Sequence, residues 1–401
     1  MKILQVNAVS GIRSTGRICV EIADYLNENG SEGYIAYSSG IPYKNGYRIG
    51  TIFDTKIHAL LSRLSGKQGY YSRRATKSLI EYMERNRFDV VHLHNLHSNY
   101  INLGMLFEYL AINDIPTVIT LHDCWFYTGK CTHYTSDACV KWQAGCGKCP
   151  RLRKDNSSWF LDQTKKMHTD KETWFECIPR LAVVGVSDWI TGEAKKSLLT
   201  SAKIITRICN WIDIQEFRPV ETGKLRNGMG LSDKFVILGV ASVWSNEKGL
   251  GKFIELAKVL PEDMVIVLIG NISRFLDLPG GIINVKETHS IKKLVRYYSM
   301  ADVFVNLSSE ESFGKVTAEA IACGTPAIVT DSTANPELIG EKCGYVTKNN
   351  TLKDVCECIA TVQSKSKAYY SENCMEYARK KYAKADRLSD YKKIYDKLIS
   401  I

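Results

Sequence analysis

Seven residues separate Glu311 from Glu319 in the string EESFGKVTAEAIACGTP, with Ser312, Phe313 and Gly314 between them. Glu311 falls in the loop after the apolar run Val303 to Leu307, and Glu319 falls inside a helix that begins near Gly314. The start of that helix therefore lies between two carboxylates. Its unpaired amides can bind phosphate or sugar hydroxyls, and each carboxylate can accept hydrogen bonds from vicinal hydroxyls. Isolated acids are mostly surface charges; the whole string is far more specific. A second glycine turn, SGIRSTGRI at Ser10 to Ile18, follows the first apolar run and opens a helix marked by Ile18, Ile22 and Leu26. Gly11 and Gly16 would present backbone amides and a positive dipole end to an anion. The Gly-x-Gly-x-x-Gly spacing of dinucleotide sites is not met, so these glycines alone are ordinary turn residues.

Cys131, Cys139, Cys146 and Cys149 have the spacing Cys-x7-Cys-x6-Cys-x2-Cys, with Cys124 nearby. Four thiolates around a short Cys-x2-Cys turn suit a structural, tetrahedral zinc. The first two spacings match no standard zinc finger, and reduced thiols or a redox pair remain alternatives. Residues 124–152 read as an irregular insertion with too few apolar residues for a core of its own, which a metal would stabilise. His92, His94 and His97 could suggest a second metal site. Alternate residues on a strand point the same way and His97 lies beyond the strand, which favours cleft lining or core polar contacts instead.

These groups need a scaffold, and the chain supplies an alternation of apolar runs with helical patterns: Ile3 to Val9, Tyr34 to Tyr37, Val90 to Leu93, Thr117 to Leu121 and Leu181 to Val186. The pattern restarts after a polar stretch with Phe235 to Ala241, Met264 to Ile269, Gly281 to Val285, Val303 to Leu307 and Ala327 to Thr330. Such alternation predicts α/β architecture with parallel sheets and crossover helices, in two doubly wound, Rossmann-like domains. The expected limits are 1–218, 219–385, and a C-terminal helix over 386–401 that crosses back to the first domain. Ligands of open parallel sheets bind beyond the carboxyl ends of strands, where His122 and Glu311 both stand.

With these residues in place, the chain resembles family 4 retaining glycosyltransferases of the GT-B fold, whose signature is the Glu-x7-Glu element. Asn210-Trp211-Ile212-Asp213 with Phe217-Arg218-Pro219 resembles the family's Asn-Gly-Ile-Asp segment at the domain junction, Lys248-Gly249 its donor-phosphate lysine motif, and Asn335-Pro336-Glu337 its late Pro-Glu loop. The stretches HLHNLHSNY, TLHDCWFYTGKC and GYYSRRATK resemble a subgroup that builds bacterial capsular, colanic-acid-like and other exported polysaccharides. The resemblance implies a nucleotide-sugar donor in a cleft between the domains and a glycan or polyprenyl-linked acceptor on the first. It implies that Glu311 contacts the transferring sugar, aided by amides near Phe313 and Gly314, that Glu319 holds the ribose, and that Lys248 neutralises the diphosphate. The Gly11 to Gly16 loop would face the phosphates, Asn210 would stand on the donor side, and His122 would lie near the reacting centre. Two positions depart from the family. The arginine about five residues before the lysine is replaced around Val243 and Trp244, leaving Arg17 and Arg207 as candidates for the second phosphate cation, and Trp211 replaces a glycine.

No Asp-x-Asp occurs in the sequence, so lysine, amides and helix dipoles are expected to do the electrostatic work of a divalent metal; no cofactor is required for catalysis. The net charge of +10 is uneven. Between Lys56 and Arg87, eight basic residues face two acidic ones, interleaved with Leu60, Leu61, Leu64, Tyr70, Tyr71, Leu79 and Ile80. That window resembles an interfacial element for an anionic membrane surface as much as a solvated helix face. It carries no nucleic-acid motif, so nucleic acid is not an expected partner. No run is long enough to span a bilayer, and the expected place is the cytoplasm, peripheral at the inner face of the membrane. An epimerase or hydrolase of the same fold, or a nucleotide-sugar-binding partner subunit without activity, are the competing readings.

Overall fold

The computed structural model describes residues 1–273, 276–288 and 290–401. The chain divides into two compact units, Met1–Ile208 with Leu388–Ile401, and Cys209–Arg387. In the first, β1 (Lys2–Ser10), α1 (Arg13–Glu28), β2 (Glu32–Gly40), β3 (Gly46–Arg48), α2 (Ile52–Ser65), α3 (Arg73–Asn86), β4 (Val90–Leu93), α4 (Leu103–Ile112), β5 (Thr117–Leu121), α5 (Thr164–Glu176), β6 (Leu181–Gly185), α6 (Asp188–Ala194) and β7 (Ile204–Arg207) follow one another. The strands form one sheet in the order β3-β2-β1-β4-β5-β6-β7. β4 and β5 are buried at every residue, which is why they read as continuous apolar runs rather than alternating ones.

The second unit runs through α7 (Gly223–Gly228), β8 (Phe235–Val243), α8 (Leu250–Ala257), β9 (Met264–Asn271), β10 (Ile282–Val285), α9 (Ile291–Met300), β11 (Val303–Asn306), α10 (Lys315–Ala322), β12 (Ala327–Thr330), β13 (Gly344–Thr347), α11 (Leu352–Lys365) and α12 (Ala368–Tyr382). Its sheet has the order β10-β9-β8-β11-β12-β13, and α13 (Lys384–Ile399) follows. The strand pairings of both sheets are parallel. Strand order therefore reverses once in each, between β1 and β4 and between β8 and β11.

Three strands escaped the sequence pattern: β3, β7 and β13. Each is at an edge of its sheet and largely half-buried or exposed, so the apolar signal that betrays an inner strand is missing. The two compact units part at Ile208, ten residues before the expected limit of 218. Residues 209–218 hold to the second unit because the Ile212 amide donates to the Tyr382 carbonyl at 3.0 Å and Ile212 bridges Ala383. From Leu388 onward the chain belongs with the first unit, where the Tyr395 hydroxyl meets His92 Nδ1 at 2.8 Å and the Tyr391 hydroxyl meets Thr120 Oγ1 at 3.1 Å. Among the described residues no helix is long and apolar enough to cross a membrane.

Candidate active site

In the second unit the two loops that flank the reversal of strand order carry the charged pair. Lys248 follows β8 and Glu311 follows β11, and Lys248 Nζ lies 2.6 Å from Glu311 Oε1. Two neighbouring parallel strands whose crossovers leave in opposite directions open a crevice at their carboxyl ends, the usual ligand position of such sheets. Glycine shapes both loops. Gly249 caps α8 at φ 81°, and a Cβ there would stand 2.6 Å from Leu307 Cβ; Gly314 caps α10 at φ 83°, and a Cβ there would stand 2.7 Å from Leu338 Cδ1. Neither position tolerates a side chain without movement. Neither helix has a side-chain cap; the Leu250 amide of α8 donates to the Ser245 carbonyl at 3.0 Å and the Thr317 amide of α10 to the Gly314 carbonyl at 3.0 Å, so only the other first-turn amides are left to a ligand or water.

Glu311 is fixed through its backbone, its amide donating to Thr333 Oγ1 at 2.9 Å. Glu319 sits on α10, buried, and accepts from the Tyr298 hydroxyl at 2.9 Å. A buried carboxylate held on one oxygen by a buried phenol is a fixed acceptor, suited to a ribose diol in a way a mobile surface acid is not. The Asn335-Pro336-Glu337 segment is anchored by Asn335, whose Nδ2 donates to the Ser308 carbonyl at 3.1 Å and Thr330 Oγ1 at 3.0 Å. Phe313 packs edge-on against Tyr382. Beside the pair, the Ser312 hydroxyl is buried with no hydrogen-bond partner among the described residues; sequence reading passed over it because serine is common in loops. The Asn210 carboxamide oxygen is buried in the same condition. Trp211 is buried and its backbone avoids the left-handed region, so this segment does not need the glycine that it lacks. Trp244 is packed, its Nε1 donating to the Ile269 carbonyl at 3.1 Å.

In the first unit the glycine turn after β1 closes on itself. The Gly11 amide donates to the Gly16 carbonyl at 3.1 Å, so the expected offer of that amide to an anion is corrected: it is already used. Gly16 sits where a Cβ would be tight, 3.1 Å from Val9 Cγ2 and 3.2 Å from the Gly11 nitrogen. Arg17 is half-buried on α1, whereas Arg207 is paired with Asp188, Nε to Oδ1 at 3.3 Å.

His122 stands directly after β5, and a chain of hydrogen bonds settles its tautomer. The Gln5 Nε2 donates to the Cys19 carbonyl at 2.7 Å, which leaves Gln5 Oε1 to accept from His94 Nε2 at 3.1 Å. A neutral His94 protonated there must accept at Nδ1, from His122 Nε2 at 2.9 Å. His122 is left with an unprotonated Nδ1, an acceptor for a hydroxyl. His92 and His94 are fully buried with rings 4.0 Å apart, making core polar contacts. His97 turns elsewhere, its Nε2 3.0 Å from Asp123 Oδ2. Among the described residues no three His, Cys, Asp or Glu stand at ligating geometry for a metal.

Burial pushes the imidazoles of His58 and His122 down to about 4, and those of His92 and His94 well below the ordinary range. Below the unfolded value of 6.5 the unfolded chain takes up protons that the folded chain does not, so stability present at neutral pH is lost as pH falls from 6.5 towards 4. Each imidazole contributes about 1.4 kcal/mol per unit of depression. Thermal melting should drop steeply between pH 7 and 4.5; a midpoint that stays level over that range would contradict the neutral histidine chain.

The comparisons also divide the chain in two, between residues 216 and 222. The family model for Glycosyltransferase Family 4 matches residues 15–216, and that for Glycosyl transferases group 1 matches residues 222–381. The putative colanic acid biosynthesis glycosyl transferase WcaC of Escherichia coli K12 is 23% identical over 320 residues, spanning 77% of this chain and 76% of that protein. Sucrose-phosphate synthase from Thermosynechococcus elongatus superposes with a TM-score of 0.72 at 14% identity, covering 100% of this chain and 99% of the other. Anabaena Alr3699/HepE in complex with UDP-glucose superposes with a TM-score of 0.65 at 16% identity over 100% of both chains. Two parallel sheets, each with a reversal flanked by candidate ligand loops, and two family models that together span nearly all of the sequence place this chain in glycosyltransferase family 4, with the GT-B fold.

Proposed function

We propose that this glycosyltransferase is a retaining, metal-independent enzyme that moves a sugar from a nucleotide-sugar donor to a growing glycan or polyprenyl-linked acceptor in bacterial surface polysaccharide synthesis. The observation that carries the proposal is the Lys248–Glu311 pair, 2.6 Å apart and set between two glycine-capped helix starts. A diphosphate competes with Glu311 for the ammonium, adds the dipoles of α8 and α10 to its own neutralisation, and releases the carboxylate to accept from hydroxyls of the sugar. As the sugar–phosphate bond breaks, negative charge grows on the leaving oxygen, where a compact ammonium stabilises it. Glu319 takes the ribose hydroxyls, and in the first unit the unprotonated Nδ1 of His122 is an acceptor for a hydroxyl. The acceptor attacks from the face the diphosphate leaves, through a short-lived oxocarbenium-like species, which gives retention. The colanic-acid name of WcaC supports the polysaccharide, and the UDP-glucose complex of HepE supports the donor class.

A panel of nucleotide sugars is screened by binding, then by mass spectrometry of products with glycan and polyprenyl-linked acceptors. Nucleotide release that needs an acceptor is the expected result. Release or epimerisation without one favours the epimerase or hydrolase reading, and binding without turnover favours a partner subunit. Omitting magnesium and manganese should leave transfer intact; strict dependence on either contradicts the role given to Lys248.

A further inference from the structure

The 124–152 insertion was expected to have too few apolar residues for a core of its own, and its burial is aromatic and partly shared with the rest of the first unit, Phe126 packing against Phe175 of α5. Trp125, Phe126, Tyr127, Tyr134 and Trp142 are all buried, with Tyr127 and Trp142 ring centroids 5.1 Å apart. Aromatic side chains, few but large, supply the area that aliphatic ones do not. Against this core lies a cavity of about 20 Å³ lined by Cys131, Cys139, Cys146 and Cys149 together, room for one water-sized body. Four cysteines spread over nineteen positions of sequence thus return to one point in the fold.

The local backbone serves the sulfurs. In the Cys146 to Cys149 turn, Gly147 has φ 141° and Lys148 φ 46°, and both cysteines of the turn line the cavity. The Gly129 amide donates to Cys146 Sγ at 3.2 Å, the Arg151 amide donates to the Cys149 sulfur, and the Cys131 and Cys149 thiols hydrogen-bond one another. Amide donors aimed at sulfur favour thiolate over thiol, which offsets part of the rise that burial imposes on Cys146, whereas the Cys149 sulfur and burial push Cys131 up.

Two lysines beside the cavity are each only 2% exposed. Lys130 Nζ donates to the carbonyls of Leu152 at 2.7 Å, Lys154 at 3.2 Å and Asp155 at 2.9 Å, and Lys171 Nζ to those of Trp125 at 2.5 Å and Thr128 at 2.9 Å. Carbonyls satisfy the protons but supply no net charge, and a buried ammonium costs several kcal/mol without one. The carboxylates acting on these lysines are engaged elsewhere: Asp123 with His97 at 3.0 Å, Asp155 with Arg151 at 3.2 Å, and Asp162 with the Thr164 hydroxyl at 2.6 Å and the Cys149 amide at 2.7 Å. Four neutral thiols, or a disulfide, supply no anion to either buried amine, and burial then pulls both below the ordinary lysine range, Lys171 to about 7. A divalent ion held by four thiolates carries two negative charges and matches them.

We propose that Cys131, Cys139, Cys146 and Cys149 bind one structural zinc ion as a tetrathiolate whose two negative charges are balanced inside the fold by Lys130 and Lys171. Binding sends the thiol protons to solvent and draws the sulfurs from cavity lining into ligation, so affinity falls as pH is lowered. The zinc takes no part in sugar transfer. It fixes the segment after β5, where Lys171 Nζ lies 3.6 Å from the Trp125 ring centroid and the Trp125 amide donates to Asp123 Oδ1 at 2.9 Å, next to His122.

The full chain, purified without chelator, should carry about one zinc by elemental analysis, falling below roughly a tenth in Cys146→Ser/Cys149→Ser and unchanged in Cys177→Ser, whose thiol is exposed. Because the double variant could misfold, the unaltered chain is also tested. Mercurial modification of its thiols should release that zinc stoichiometrically, and cobalt exchange should give thiolate charge-transfer absorption with the strong visible bands of tetrahedral coordination. Zinc-free protein with four titratable thiols, a Cys131–Cys149 disulfide in its mass spectrum, iron in place of zinc, or cobalt bound without charge transfer would each overturn the proposal.

Discussion

Lys248→Ala should lower kcat by roughly 100-fold or more, and Glu311→Gln by a similar factor, with the fold intact. The size follows from where each charge acts. Lys248 meets charge that grows on the leaving phosphate, an interaction stronger in the transition state than in the bound donor, so its loss falls on kcat more than on KM. The stability effect should be small by contrast. With 39% of the Lys248 side chain and 16% of the Glu311 side chain exposed, the pair is partly solvated, and such pairs contribute about 1 kcal/mol or less to folding. Melting within a few degrees of the unaltered chain would therefore accompany a large kinetic loss. Lys248→Arg should recover only part of the rate, because a planar fork does not place its charge where a compact ammonium does. The double variant should lose less than the product of the single losses, since the residues share one site. Near-normal transfer by either single variant would remove that residue from the proposed mechanism.

Much of this site was legible because its geometry is local. Glu311, Gly314 and Glu319 lie within one strand–loop–helix passage, so spacing alone placed two carboxylates around a helix start. Lys248 was found only by resemblance, since its approach to Glu311 depends on β8 lying beside β11, a long-range fact. Lys130 and Lys171 were missed for a different reason: lysine is normally solvated, and nothing short of the fold reveals that these two are buried beside thiols. The only hint was Lys130 adjoining Cys131. His122 was located at its strand end, but its tautomer depends on Gln5 and His94, which reach it through pairing of β1 with β4 and β4 with β5. The insertion's aromatic burial was undervalued because a count of aliphatic residues passes over tryptophan and tyrosine.

The basic window Lys56 to Arg87 was read as one segment, either interfacial or an ordinary solvated helix face, and the structure separates it into two helices of different character. α3 is an ordinary amphipathic helix: Ala75, Thr76, Leu79 and Met83 are buried, while Arg73, Arg74 and Lys77 are exposed. α2 is inverted. Its buried residues are His58 and Ser62, and its large apolar residues face outward, with Phe53 70%, Ile57 43%, Leu60 47% and Leu64 40% exposed. Positions 53, 57, 60 and 64 share one helical face. Trp159, Phe160 and Leu161 extend this surface, their strand of loop tied to α2 by the Trp159 amide donating to the Arg63 carbonyl at 2.8 Å. If the proposed polyprenyl-linked acceptor is met at an anionic bilayer, the apolar stripe edged by Lys56, Arg63 and Lys67 is the surface expected at its headgroup boundary. Phe53→Asp/Leu60→Asp removes roughly 3 kcal/mol of apolar insertion and adds two repelled charges at about 1 kcal/mol each, so binding to anionic vesicles should weaken at least 100-fold. Arg73→Glu/Arg74→Glu/Lys77→Glu should weaken it less, and only in low salt, because those charges act at a distance without inserting. Vesicle cosedimentation across a salt series measures both. Pelleting of Phe53→Asp/Leu60→Asp equal to that of the unaltered chain would assign the stripe to some other contact, and a concentration-dependent dimer abolished by the same pair of changes would identify that contact as a second copy of the protein.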